Sequence, residues 1–264
     1  MDNTETEDKN SRYLIKSVIK SFQILETMAM HNKEIRAKDL SEMMDMEQST
    51  VHRFLLTLEH LGYVKQTEKN GKYYLSLKLF EMGNNILQSL DLHSQSLPVL
   101  QELNKRLNET VHLVVLDKGE AVFVNKLISH PSVVAYSYIG KRSYAHCIAS
   151  GKVLLAYLPQ EELDDVLNKR GLPKFTNNTI TDIYEFKKHL AVIREEGFAY
   201  DFGEYEPIVN CVAAPVKNHI GQVIAAASVS GPSSRLDMEK LKEIGVEVSN
   251  AASTISEKLG FKSK

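Results

Sequence analysis

The sequence predicts a chain of the mixed α/β class, of the α+β kind, in which a small helical unit closed by a β-hairpin precedes a larger unit built on an antiparallel sheet. Three observations carry that prediction. The chain has 264 residues, more than the roughly 100–200 of a single domain. Between Leu14 and Leu58 apolar residues recur at three- and four-residue steps in three short runs, followed by an Asn70-Gly71 turn. Further along, two apolar strand pairs flank turn sequences, with helical patterns between and after them.

Taken in order, residues 1–11 are polar and acidic without apolar periodicity, and are expected to form a disordered tail. Leu14, Val18, Phe22, Leu25 and Met28 mark one face of a first helix. After a break at His31–Lys33, Ala37, Leu40 and Met44 mark a short second helix with no Ser, Thr, Asp or Asn at its expected cap. Asp45-Met46-Glu47 is a tight connection, and Val51, Leu55 and Leu58 line a third helix ending near Gly62. This spacing is that of a helix-turn-helix. Two short strands around Asn70-Gly71, the strongest short-range hairpin signal, add a wing and complete a unit over residues 12–77.

Leu79, Met82, Ile86 and Leu90 form a linker helix over 78–93, and Leu97, Leu100, Leu103 and Leu107 another, with Pro98 expected in its first turn. A domain boundary is read near Asp91–Ser96, and the second domain runs over 94–264. There, Val111–Leu116 and Ala121–Leu127 flank Asp117-Lys118-Gly119-Glu120, while Cys211–Val216 and Val223–Ser230 flank Asn218-His219-Ile220-Gly221. Two hairpins imply an antiparallel sheet. Helices are read at Gly151–Leu158, Glu161–Asn168, Tyr184–Glu196 and Met238–Leu259.

Composition narrows the function. Hydrophobic residues at 43% and charged residues at 25% are globular values that argue against a fibrous or disordered chain. The longest apolar stretches fall well short of a membrane span, and the acidic start MDNTETEDKN is no secretion signal. Cys147 and Cys211, the two cysteines, both lie in apolar segments, which fits a reducing compartment. A cytoplasmic protein without membrane contact is expected. The net charge of −2 gives nucleic-acid binding little help. Between Arg12 and Lys78 eleven Lys and Arg stand against eight Asp and Glu, a mild excess. Architecture carries the case instead, because phosphate contacts position a reader while base contacts specify sequence.

With Val51, Leu55 and Leu58 facing inward, the third helix turns Gln48, Ser49, Thr50, His52, Arg53 and Thr57 outward. Gln pairs bidentately with adenine and Arg with guanine, hydroxyls reach phosphates or bases, and a helix N-terminus favours a phosphate. On the wing, Lys69, Lys72 and Tyr73 are the candidates for an adjacent phosphate or minor groove, with Lys65 a weaker one. Any one of these residues alone reads as solvated surface. A short helix before and a basic hairpin after make the set specific for DNA.

The run QSTVHRFLLTLEHLGYV followed by KYYLSLKLFEMG resembles the recognition helix, wing and linker of the IclR family of transcriptional regulators. ETVHLVVLD, YSYIGKRSYAHCIASGKVLLAYLP, NTIT, REEGFAYD, NCVAAPV and ASVSGPSSR resemble that family's effector domain in the same order. The KLFEMG linker looks most like its pectin-degradation, sugar-acid repressors. The resemblance implies a homodimer or homotetramer of winged helix-turn-helix units on a double-stranded operator, with a GAF-like effector domain that modulates binding. A repressor is the default reading.

Independently of the resemblance, Ala149 and Ser150 open an apolar helix whose first amides would attract a carboxylate. Ser228 and Ser230 stand two apart on a strand and so face one side, with Cys211 opening the neighbouring strand. The family pattern then implies an effector pocket of Ala149, Ser150, Asp201, Val209, Cys211, Ser228 and Ser230, closed by Tyr136. Asp201 would accept a hydrogen bond from a ligand hydroxyl or fix a neighbour, and the first role points to a hydroxy or sugar acid. Small serines and a buried cysteine are also ordinary packing residues. Where many members carry further acids after Asp201 and an Arg before the cysteine, this chain has Phe202-Gly203 and Asn210, which suggests a different effector.

Two other classes compete. Cys147 or Cys211 with His146 and Asp201 would make a cysteine enzyme, but no cation stands beside either thiol in the sequence to activate it. The same four residues would make a metal-dependent sensor, although His146 and Cys147 are adjacent and on a strand would point apart. No catalytic residue, metal or cofactor is expected.

Overall fold

The computed structural model describes residues 13–31, 33–67, 71–89, 91–128 and 137–262, with backbone alone at 84–89 and 91. The expected tail and the wing's Lys69 and Asn70 lie outside these residues, as does Tyr136. The chain divides between Ile86 and Leu87 into two compact units.

The first unit holds α1 (Lys16–His31), α2 (Ala37–Met43) and α3 (Gln48–His60), then a hairpin of β1 (Val64–Gln66) and β2 (Tyr73–Leu75). α4 (Leu77–Ser89) follows. Ile24, Leu25, Met28, Leu40, Val51, Leu55, Leu58 and Val64 form its core. Arg36 precedes α2 without a side-chain cap, as the sequence implied. Asp45, between α2 and α3, takes φ 49°, a left-handed conformation that Asp tolerates better than most residues. Gly62, at φ 81°, stops α3, and Lys78 locks the corner by donating to the Leu61 carbonyl at 2.7 Å. The first-helix stripe is only half right: Leu25 and Met28 are buried, whereas Leu14, Val18 and Phe22 are exposed. The second and third helices pack against only the C-terminal half of α1.

In the second unit α5 (Asp91–Leu107) begins at Asp91. The segment read as a domain boundary is therefore helical, and Pro98 stands two turns in rather than in the first turn, on the exposed side. β3 (Thr110–Asp117) and β4 (Glu120–Leu127) make the first hairpin. Lys118 and Gly119 both have positive φ, 51° and 78°, the type I′ geometry that matches strand twist. β5 (Arg142–Tyr144), a 3-10 turn (Ala145–Cys147), α6 (Ala149–Ala156), α7 (Gln160–Arg170) and α8 (Ile183–Glu196) follow. β6 (Ala199–Phe202), β7 (Val209–Lys217), β8 (Val223–Pro232) and α9 (Met238–Lys258) complete the unit.

The six strands run antiparallel in the order β5-β4-β3-β8-β7-β6. One face, with Val111, Leu113, Val212 and Val229, packs on α5 and α9. The other, with Val114, Ala213 and Ala226, packs on α6 and α8. Small residues on that second face let α6 lie close to the sheet. Pro215, which has no N–H to donate, lies on β7 beyond the reach of β6, where no partner needs one.

Gly151 marks the tightest approach. A Cβ there would stand 2.2 Å from the Ala145 carbonyl oxygen, so the 3-10 turn rests directly on the first turn of α6. Gly151→Ala should cost about 3 kcal/mol or more of stability by overpacking against backbone, read as a lowered unfolding midpoint. Gly83→Ala, in the open on α4, should instead stabilise by roughly 0.5–1 kcal/mol.

Candidate functional sites

On α3 the inward positions Val51, Leu55 and Leu58 are buried, and Gln48, Ser49, His52, Arg53 and Thr57 are exposed, with Thr50 half-buried. All six predicted residues thus lie on the outward side or first turn of one helix. The Glu47 cap makes no side-chain bond to that turn, and its carbonyl takes the Thr50 and Val51 amides, so the Gln48 and Ser49 amides remain open to an oxygen from outside. Thr57 turns its hydroxyl back onto the Arg53 carbonyl at 2.8 Å, which leaves Arg53 as the long donor at the centre of the face.

The wing needs a correction. Tyr73 is 1% exposed and sits in the core of the first unit. Its backbone pairs with Ile35 on one side and Gln66 on the other, and its hydroxyl, buried without a hydrogen-bond partner, cannot reach DNA. Strand alternation sends the adjacent Tyr74 outward at 38% exposure, opposite the exposed Lys65. Those two replace Tyr73 on the wing's outer face. Lys72 is half-buried at the hairpin turn.

The second site is a cavity of about 50 Å³ between the sheet and the start of α6, several times the space one water needs. Ala149, Ser150, Asp201, Val209, Cys211, Ser228 and Ser230 all line it. Register explains the convergence: Asp201 pairs with Cys211 and Cys211 with Ser230, so their side chains leave adjacent strands on one face, and Ser228 pairs with His112 in the same way. Ile148 caps α6 without a side-chain bond, and the free amides of Ala149 and Ser150 open where both residues line the cavity. Ser230, 4% exposed, has a buried hydroxyl with no partner.

Sequence reasoning missed much of the opposite wall, which includes His112, Phe123, Lys141, Tyr205 and Glu206. His112 gives the one readable signal, a polar residue in the apolar strand ETVHLVVLD. Lys141, Tyr205 and Glu206 lie outside the regular strands and have no periodicity to betray them.

Charge is concentrated around this cavity. Lys152, fully buried one turn into α6, forms an ion pair with buried Glu204. Asp201 accepts from the Glu204 amide at 2.8 Å, and burial pushes its carboxyl up to about 7; Lys152 pulls it down, while Glu204 and Glu206 push it further up. Glu206 is also raised by burial, against the pull of Lys141 and Lys126. Burial, then Lys126 and Lys141, press His112 down to about 3, so it is neutral at physiological pH and bonds Ser137 at 2.8 Å.

The same burial argues against thiol chemistry. It raises both Cys147 and Cys211, and the nearby acids raise them further. His146 bonds the Pro173 carbonyl at 3.1 Å, and it lies in a 3-10 turn rather than on a strand. Among the described residues no three His, Cys, Asp or Glu side chains converge as a metal site.

The departure at Phe202 and Asn210 does not touch the cavity. The two face each other across β6 and β7, alternate with Asp201 and Cys211, and so point to the opposite face. Asn210 donates to the Leu236 carbonyl at 2.7 Å, and Phe202 packs on the α5–α9 side. Gly203, at φ 67° with the Pro207 carbonyl 2.8 Å from where a Cβ would stand, closes the turn that presents Glu204–Glu206. The inference of a different effector from these positions therefore falls.

Comparison with known proteins matches both units. The family model of the IclR helix-turn-helix domain matches residues 17–68, and that of the bacterial transcriptional regulator IclR C-terminal domain matches 84–257. The chain is 38% identical to the HTH-type transcriptional regulator XynR of Escherichia coli over 94% of its own length and 98% of the relative's. It is 37% identical to KdgR of Dickeya chrysanthemi, over 94% and 81%. Among solved structures it resembles the IclR of Thermotoga maritima, with TM-score 0.81 and 31% identity over 93% of this chain and 99% of that one. It also resembles an IclR homolog from Microbacterium hydrocarbonoxydans complexed with 4-hydroxybenzoate, with TM-score 0.83 and 26% identity over 92% and 98%. These matched families are transcriptional regulators, not enzymes. Among the described residues no helix is long and apolar enough to cross a membrane.

Asp201 makes stability depend on pH with a defined sign. Its folded value, about 7, lies above the ordinary 3.8, so the folded state favours the protonated acid and loses stability as pH rises from about 4 through 7. Asp201→Asn keeps an acceptor for the Glu204 amide and carries no charge. It should gain on the order of 2 kcal/mol over wild type at pH 8 and almost nothing at pH 4, measured by urea unfolding at both pH values.

Proposed function

The chain belongs to the IclR family of bacterial transcriptional regulators, and on that footing we propose that it is a cytoplasmic repressor whose hold on its operator is relieved by a small hydroxylated carboxylate, a sugar acid. The head over 12–77 reads DNA through Gln48, Ser49, Thr50, His52, Arg53 and Thr57. The segment over 78–93, made of α4 and the start of α5, links it to an effector domain over 94–264. The observation that carries the effector reading is the unpartnered Ser230 hydroxyl buried in a cavity at the open N-terminus of α6, since a buried polar group without a partner is costly and a ligand oxygen would satisfy it. The sequence resemblance to sugar-acid repressors and the 37% identity to KdgR support a sugar acid. The 4-hydroxybenzoate complex of a homolog supports a small hydroxylated carboxylate.

The operator contacts require two heads on a pseudo-palindrome, hence a homodimer or a tetramer of two such dimers. Exposed Leu14 just before α1, Val18 and Phe22 on α1, and Leu77 and Phe80 on α4 support association, which would cover them. The ligand acts by preferring the conformation with the lower operator affinity.

A mobility-shift assay on the gene's own upstream region, with and without 2-keto-3-deoxygluconate, tests this reading. The wild type should give a specific shift that the acid reverses. Arg53→Ala should weaken specific binding by about 1–3 kcal/mol, some 5- to 150-fold; normal binding by this variant would remove the recognition-helix assignment. Cys211→Tyr, which fills the cavity, should bind the operator normally and ignore the acid.

A further inference from the structure

The two edges of the six-stranded sheet meet over the cavity. Lys141 immediately precedes edge strand β5, and its backbone is held to β4 by the bond from Phe123 N–H to its carbonyl at 3.1 Å. Tyr205 and Glu206 follow the opposite edge strand, β6, beyond the Gly203 turn. The Lys141 ammonium rests 5.2 Å from the centre of the Tyr205 ring, and all three residues line the cavity.

Lys141 and Glu206 are close enough to feel each other's charge, yet among the described residues no ion pair joins them. Glu206 Oε2 is buried with no hydrogen-bond partner. The neighbouring cation, Lys126, is already turned to the Ser137 carbonyl. A cation and a carboxylate thus face one cavity, each with capacity for a bond, from opposite edges of the sheet.

We propose that Lys141 and Glu206 are the specificity-determining pair of this cavity, and that its ligand bridges them with a carboxylate on Lys141 and a hydroxyl on Glu206. A ligand carrying only a carboxylate would leave the buried Glu206 oxygen unsatisfied and facing a like charge. A neutral polyol would leave the ammonium without an anion. A hydroxylated acid satisfies both at once, and each polar group buried without its partner costs affinity. Bridging also ties the two sheet edges together, so occupancy becomes a change in how firmly β5 and the loop after β6 are joined.

This rests on the cavity being the effector site, and the test separates the two claims. Calorimetric titration of the full-length protein would use 2-keto-3-deoxygluconate, its neutral primary amide, and hexanoate, which has the carboxylate and no hydroxyl. Wild type should prefer the acid to the amide by at least tenfold. Lys141→Met should lose at least tenfold in acid affinity while binding the amide as wild type does, which a merely misfolded variant would not. Glu206→Gln should keep the preference over the amide and narrow the preference over hexanoate. A Lys141→Met protein that retains the full preference for acid over amide overturns the proposal and leaves the cavity reading standing. If Cys211→Tyr binds the acid as wild type does, or wild type binds none of the three, the cavity reading fails and this inference falls with it.

Discussion

The second unit depends on one buried ion pair. Lys152 and Glu204 stand 52 residues apart in sequence, yet join the first turn of α6 to the loop between β6 and β7. Removing two charges from water is expensive, and their attraction offsets the cost only when the remaining polar atoms are also served. The second oxygen of the Glu204 carboxylate is buried without a partner, but the loop's backbone is well served. Thr179 donates to the Glu204 carbonyl at 2.6 Å, Asp201 accepts from its amide, and Thr176 donates to the Gly203 carbonyl at 2.7 Å. Two walls of the cavity, the open end of α6 and the loop carrying Tyr205 and Glu206, are thereby held in one register. An apolar pair of the same volume would pack as well, but it would fix neither the loop's rotation nor the direction in which Glu206 faces.

That pair also explains why the cavity can carry so much unneutralised acid. Asp201, Glu204 and Glu206 crowd one side, and burial raises all three. Lys152 lowers Asp201 and Glu204, and Lys141 with Lys126 lowers Glu206. A carboxylate ligand entering such a place meets repulsion from one wall and three sources of attraction elsewhere: the α6 amides, the Ser230 hydroxyl and Lys141. The balance favours an acid only in an orientation that keeps its charge away from Asp201 and Glu206 and offers those two a hydrogen instead. Electrostatics in this cavity therefore select both composition and orientation.

Where a residue's environment is set by its own element, the sequence reveals it. The three short helices, the Lys118-Gly119 turn and the serines of β8 follow from periodicity and turn chemistry, and the structure has all of them. Tyr73 and Tyr74 show the limit: both suit a wing strand, and only the bridge to Ile35 decides which one is buried. The exposed Leu14, Val18 and Phe22 show another, because a periodic apolar face reports that something covers it without saying what. Pro98 was misplaced because α5 begins two turns before its apolar pattern does. In the cavity, Ser228 and Ser230 were legible from alternation and Asp201, Val209 and Cys211 from the family resemblance, while the convergence of His112, Phe123, Lys141 and Glu206 was not, since it follows from the curl of a six-stranded sheet and from no local pattern.

This division between strand and loop has a consequence for how such a site can change. The amides of α6 and the row Asp201-Cys211-Ser230 are built into helix and sheet, and Gly151 permits no displacement of α6 from its turn. Altering them would disturb the core that Ala149, Ala213 and Ala226 share. Lys141 and Glu206, half-buried outside the regular strands, can be exchanged without moving a core side chain. On the proposed reading, the framework would supply a general affinity for a small anion, and the two sheet edges would decide which anion is retained. A regulator built this way keeps its fold and its signal path while its ligand changes, because selectivity and stability reside in different residues.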